Sequence, residues 1–337
     1  MAIIFFSLLL RAEEQVASTN DMHQSYMMKG VKIDSDFFIT KDRVHEKFYQ
    51  YPLSYIGNHS QPFSQEHQIT RADGKIIYEH YYTIGEFGFR QIDPKYYSKN
   101  SKFHLITAGD SNTFGEGISE ADLLAVQLAN KMKDSHPYNF GIRGSGPHNT
   151  LALMEFFPWE KLIKEPKGVF IYNYYEFLIE RVIGYRHIIE WSHGNDPYYA
   201  LNDKGEAVYK GLFSSRPLTY FFDVLNYYPF ISNLFPVLPR PSHRHLELLA
   251  KMFFKMQEKY KKKFPQGHFL VAVNYFYGNN NAGKLEELEQ ELTKNKIPYI
   301  VVPPHEYEPR FLYEDGHLNS MGHKIEAELF LKILPLN

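Results

Sequence analysis

From Phe103 to the C-terminus, short apolar runs alternate with segments of helical spacing, and this alternation constrains the fold more than any other feature of the 337-residue chain. "FHLITA" reads as a strand, and "SEADLLAVQLANKMK" as a helix N-capped by Ser119 with acids in its first turn. "YNFG" is a brief second strand, "PHNTLALMEFF" a helix entered through Pro147, and "KGVFIYNYY" a third strand. After an interruption come a long helix, "HRHLELLAKMFFKMQEKYKKK", and the strand "HFLVAVNYF". A charged helix, "GKLEELEQELTKNK", the strand "PYIVVPP" and a last helix, "GHKIEAELFLKIL", complete the pattern. Such a chain buries its strands between two helical layers, which predicts an α/β fold with a central parallel sheet. The interruption, residues 177–240, is rich in aromatic residues and proline and carries a hairpin turning at Lys204-Gly205. It is expected to be an insertion that walls a substrate cleft.

Residues 1–100 predict a β-containing lead-in packed on the main domain, 101–337. Its clearest element is a hairpin at Asp73-Gly74, between two alternating runs. The apolar run Ala2–Leu10 is shorter than the ~20 residues that span a bilayer, and it lacks a signal peptide's basic leader and small-residue cleavage site. It suggests membrane association through the N-terminus and a place in the cell envelope or periplasm. A net charge of −2 gives no electrostatic case for nucleic acid. With no cysteine in the chain, disulfides, thiolate catalysis and Cys-ligated zinc are excluded, and redox usage does not indicate a compartment.

Chemistry enters at "LITAGDSNTFGEG", where an apolar strand stops at Gly109 and Ser111 follows. A strand end in a parallel sheet is where ligands bind. The sequence is not a Gly-x-Ser-x-Gly elbow, because position 113 is Thr, and no Gly-Lys-Ser/Thr makes it a phosphate loop. Alone, Gly-Asp-Ser is also an ordinary turn composition. In "YEDGHLNSMGHK", however, Asp315 and His317 share a Gly-rich loop before the last helix. A serine nucleophile needs a base within hydrogen-bond reach and an acid to orient that base. A loop at the carboxyl edge of the sheet brings both to Ser111. Glycines in "NFGIRGSGPHN", Gly144 among them, allow backbone N–H groups to approach an oxyanion.

These three blocks, "AGDSNTFGEG", "NFGIRG" and "EDGHLNSMGH", resemble those of the SGNH (GDSL-type) hydrolases, a likeness running from about Phe103 to Leu334. The Asp-x-His spacing is similar to that of alginate acetyltransferase-like members, and the "GFR" lead-in to that of envelope-associated ones. The resemblance implies a flavodoxin-like three-layer α/β/α sandwich and acyl-ester chemistry without a cofactor or metal. Ser111 would be the nucleophile, His317 the base and Asp315 its acid, with oxyanion donors at the N–H groups of Ser111 and Gly144. One block departs from the family. Its Gly-x-Asn-Asp after the third strand, whose Asn donates to the oxyanion, is replaced by "FIYNYYEFLIER". Asn173, the only asparagine there, falls inside the strand, and Tyr175 or Glu176 takes the expected place.

The expected activity is removal of a small acyl group, acetyl above all, from a carbohydrate or envelope polymer. An O-acyltransferase using the same residues is one alternative, and a non-catalytic glycan-binding or assembly protein is another. The oligomeric state is not legible. Among other polar residues, His243 and His245 do not share a helix face and predict no metal pair. His323 is expected on the last helix without a chemical role, and His148 on a helix surface near the site. Arg181 and Arg186 suggest either an acidic-sugar contact or pairing with Glu176 or Glu180.

Overall fold

The computed structural model describes residues 31–41, 53–57, 59–226, 239–275, 282–302 and 309–333. The apolar run Ala2–Leu10 lies outside them. Three strands come first, β1 (Ile33–Lys41), β2 (Ser64–Ala72) and β3 (Lys75–Ile84). They form an antiparallel sheet in the order β1-β2-β3. The turn between β2 and β3 is Asp73-Gly74, with φ of 47° and 77°, the pair of positive angles that a tight hairpin of the native twist requires.

The main domain starts with β4 (Phe103–Gly109), the single turn α1 (Ser111–Phe114) and α2 (Leu124–Ala129). Next are β5 (Ser135–Gly141), α3 (Pro147–Phe156) and β6 (Lys167–Tyr175). The five-stranded parallel sheet has the order β5-β4-β6, continued by β9 (His268–Asn274) and β10 (Tyr299–Val302). This is the doubly wound, flavodoxin-like order, whose switch point lies between β4 and β6. Between β6 and β9 run α4 (Leu178–Ile183), α5 (Arg186–Ser192), the hairpin β7 (Pro197–Leu201) and β8 (Ala207–Leu212), α6 (Pro217–Asn226) and α7 (His243–Lys263). The chain continues through α8 (Ala282–Lys294) to α9 (Ser320–Ile333). In one helical layer α7 packs against α3, α4 and α8, while α9 packs against α2. The α/β sandwich expected from the alternation is present.

One local expectation needs correction. The segment read as one helix from Ser119 is broken into a 3-10 turn, Glu120–Asp122, and α2. Leu123 joins a small cluster with Ile118 and Val126, whereas Leu124 joins the main core. The two adjacent leucines serve different cores, and the backbone leaves helical angles at Leu123 (φ −56°, ψ 137°). Ser119 Oγ accordingly donates to Asp122 Oδ2 rather than capping a helix. The hairpin at 197–212 is anchored on a helical layer: Tyr199 donates to Glu155 Oε2 (2.6 Å), and Lys255 on α7 donates to the Ala207 carbonyl (3.1 Å). The N-terminal sheet also packs against the site, through Gln68, Tyr78 and Tyr82.

Candidate active site

Two backbone constraints build the nucleophile turn. Gly109 ends β4 at φ 157°, and a Cβ there would lie 2.3 Å from Thr113 Oγ1. Gly141 ends β5 directly against α1, where a Cβ would meet the Phe114 nitrogen. Glycine at both strand ends lets α1 sit down on the sheet, which fixes where Ser111 points. Asp110 caps α1 by accepting from the Asn112 N–H (3.1 Å). Asn112 Oδ1 accepts from the Leu318 N–H (3.0 Å), tying this turn to the loop before α9.

That loop delivers the partners. His317 Nε2 lies 2.9 Å from Ser111 Oγ, and His317 Nδ1 lies 2.9 Å from Asp315 Oδ2. Asp315 Oδ1 also accepts from the His317 N–H (3.1 Å). All three side chains are buried. Burial alone would push the His317 imidazole down, but the carboxylates of Asp315, Glu116 and Asp110 outweigh it and raise the pKa to about 9. Ser111 and the Asp315–His317 pair, far apart in sequence, form one continuous hydrogen-bonded chain.

The turn that carries Gly144 is fastened to the same strand end. Ile142 N–H and Ser145 Oγ both donate to the Gly109 carbonyl, at 3.0 Å each. Gly144 itself is buried and left-handed, with φ 71°. Asn173 lies inside β6, two residues before its end, and its neighbours Tyr172 and Tyr174 turn toward Phe253 of α7. Its amide is buried, and neither polar atom has a hydrogen-bond partner.

The N-terminal sheet adds what the motifs did not indicate. Tyr78 donates to Asp315 Oδ2 (2.7 Å), on the oxygen that faces His317. Gln68 donates to Glu116 Oε1 (2.6 Å), and the Glu116 Oε2 atom lies 3.5 Å from His317 Nε2. Tyr82 accepts from the Gly117 N–H (2.9 Å) and packs edge-on against Phe114. Arg90, from the "GFR" segment, donates to the carbonyls of Gly115 (2.7 Å) and Ile118 (2.9 Å), clamping the loop after α1. Beside Gly144, Arg143 pairs with the buried Glu66 of β2. Alternate residues of β2, Ser64, Glu66, Gln68 and Thr70, are polar, yet all of them are buried. Such a strand face needs polar partners across from it.

Other expected residues lie elsewhere. His148, expected on a helix surface, is buried beside Gly146 and Arg181, and burial with the nearby Arg181 charge lowers its pKa to about 3. The surface expectation failed because α3 is covered on both sides, by the sheet and by the insertion. Arg181 is buried as well; it donates to the Ser145 carbonyl (2.6 Å) and lies 3.8 Å from Asp110 Oδ2. It braces the two turns from below. His323 is buried in α9 with its pKa lowered to about 3, chiefly by burial. His243 faces Glu287 and Glu291, and His245 Nδ1 accepts from the Ser242 N–H, so neither is turned to a shared ligand. Among the described residues no group of three metal-ligating side chains converges, and no helix is long and apolar enough to cross a membrane.

The three sequence blocks meet at one point. No family model and no curated protein matches the chain. Among solved structures it is similar in fold to one described as a GDSL-like lipase from Parabacteroides merdae, at 11% identity and a TM-score of 0.39 over 71% of this chain and 99% of that one. It is also similar to an acetyl xylan esterase, Est2A, from Butyrivibrio proteoclasticus (11% identity, TM-score 0.39, 80% of this chain and 69% of that one). A third is a family two carbohydrate esterase from Clostridium thermocellum, solved with cellohexaose (11% identity, TM-score 0.42, 80% and 74%). These likenesses are too distant to add to what the sheet order and side-chain geometry carry by themselves.

Proposed function

We propose that the protein is a serine esterase of the SGNH type that removes a small acyl group, acetyl above all, from a carbohydrate or other envelope polymer. The observation that carries this reading is the Ser111–His317–Asp315 chain, with 2.9 Å at each link. In that chemistry Ser111 Oγ attacks the ester carbonyl and gives its proton to His317 Nε2. His317 then passes the proton to the departing alkoxide. Asp315 fixes the tautomer, and Tyr78 fixes Asp315. The N–H groups of Ser111 and Gly144 are assigned to the oxyanion. Water takes the place of the alcohol in the second half, and the serine is released by the same route in reverse. The acetyl group, the carbohydrate and the envelope location rest on the resemblance of the sequence blocks.

The deciding experiment incubates the protein with 4-nitrophenyl acetate and with an acetylated glycan, each with and without an acceptor sugar. Acetate release is the expected result. Acetyl transfer to the acceptor would replace the esterase by an O-acyltransferase using the same residues. No turnover of either ester by folded protein would leave a glycan-binding role on this scaffold.

A further inference from the structure

In a serine–histidine–aspartate chain the acid sits at one ring nitrogen and the serine at the other. Here the serine side carries an acid too. His317 Nε2 faces Ser111 Oγ at 2.9 Å and Glu116 Oε2 at 3.5 Å. Glu116 is held in that place from several directions. Its Oε1 accepts from Gln68 (2.6 Å), and its N–H donates to the Ser111 carbonyl (3.1 Å). On either side Gly115 and Gly117 take φ of 80° and 79°. The residue is only 8% exposed.

We propose that Glu116, 3.5 Å from His317 Nε2 and held there by Gln68, is a positioning residue that stabilises the imidazolium of His317 from the nitrogen serving Ser111. The inference rests on the serine–histidine reading above. Its logic is electrostatic. Proton transfer from Ser111 creates an imidazolium flanked by Asp315 at Nδ1 and Glu116 at Nε2, and both carboxylates lower the energy of that state. The same pair stabilises the charged ring before any ester arrives, which takes away the base at neutral pH. Every element around the ring contributes a group: Asp315 from its own loop, Glu116 from the loop after α1, Asp110 from the turn before it, and the neutral, buried His323 from α9. Tyr78 of β3 acts through Asp315. Three carboxylates outweigh burial, in line with the raised His317 pKa.

The test reads the rate at which a fluorophosphonate labels Ser111 between pH 5 and 11, in wild type, Glu116→Gln, Glu116→Asp and Gln68→Met. Thermal melts establish that each variant is folded. In wild type the rate should be half-maximal near pH 9. Glu116→Gln should move that midpoint down by about one pH unit or more, so that it labels several-fold faster than wild type at pH 7 despite a lower plateau. Glu116→Asp should keep part of the shift, and Gln68→Met should give a smaller displacement in the same direction as Glu116→Gln. A midpoint within about 0.3 unit of wild type in folded Glu116→Gln overturns the proposal. The ¹⁵N resonances of the His317 ring, identified by their loss in His317→Ala, report the same titration without any reagent. If Ser111 is never labelled while this titration still shifts in Glu116→Gln, the esterase reading fails and the role of Glu116 stands.

Discussion

The central parallel sheet and the N-terminal antiparallel sheet reach the same histidine by different means. The parallel sheet contributes backbone geometry: strand ends at Gly109 and Gly141, a one-turn helix and a Gly-rich loop place Ser111, Asp315 and His317. The N-terminal sheet contributes only side chains, Gln68, Tyr78 and Tyr82, projecting from the inward face of two strands. Geometry of the first kind needs glycine, turn residues and fixed spacing, and leaves a motif. Contacts of the second kind need one polar residue at every second position, which looks like any amphipathic strand. The comparison predicts that the parallel sheet performs the reaction and the N-terminal sheet adjusts it.

The largest effect should come from the parallel sheet. Ser111→Ala should remove nearly all ester turnover and all fluorophosphonate labelling while the fold persists, because a methyl group cannot attack a carbonyl. Turnover within threefold of wild type, from clean protein, would end the comparison as framed. The pH dependence follows from His317. Activity should rise through a pKa of about 9. Stability should run the other way: a group raised above its unfolded value of ~6.5 stabilises fully below that pH and loses the contribution as pH rises toward the folded value. The melting temperature should therefore fall over the window in which activity climbs, and His317→Ala should flatten both curves.

Gly144→Val comes next. Loss of one oxyanion donor costs roughly a hundredfold, about 3 kcal/mol. The left-handed backbone at Gly144 also disfavours any β-branched side chain. Steady-state turnover on 4-nitrophenyl acetate, with circular dichroism to establish folding, separates a lost donor from a lost fold. A folded variant at full rate would remove Gly144 from the oxyanion site.

Tyr78→Phe sharpens the boundary between the two sheets. It deletes a buried hydrogen bond to a charged acceptor, worth about 1.5 to 3 kcal/mol, but leaves Asp315 bonded to His317. If half of that reaches the transition state, the rate falls by about four- to thirteenfold, with a displaced His317 midpoint. A loss as deep as that of Ser111→Ala would mean that the N-terminal sheet is part of the reacting machinery.

How far the sequence revealed this site follows the same division. Ser111, Asp315 and His317 were legible because each follows a strand in a block with its own turn chemistry, and the sheet order followed from the alternation. Tyr78 was not legible, since a β-bulge between Thr70 and Arg71 sets which residues of β3 face inward. Glu116 lies within the nucleophile block but its role leaves no sequence signal, because only the fold brings Gln68 and His317 to it. His148 was misplaced for a related reason. Its burial depends on the covering insertion, which carries no periodic signal.

Asn173→Ala should have the smallest effect, although the residue sits in the parallel sheet next to the switch point. Its amide is buried inside β6 with no partner for either polar atom, and its carbonyl, not its side chain, is the group that crowds Gly109. An amide so placed contributes no hydrogen bond and carries an unsatisfied desolvation cost of about 1–3 kcal/mol. Alanine removes that cost but opens a small cavity, so the two changes oppose each other in stability. Turnover should change by less than about tenfold, under ~1.4 kcal/mol, and the melting temperature should stay close to wild type or rise. Both are measured on one preparation, by 4-nitrophenyl acetate hydrolysis and a thermal melt. If folded Asn173→Ala instead lost as much activity as Gly144→Val, the amide would be turning to the oxyanion once ester is bound. Asn173 would then be the side-chain donor that the third block of an SGNH hydrolase supplies, delivered from within the strand rather than from its end.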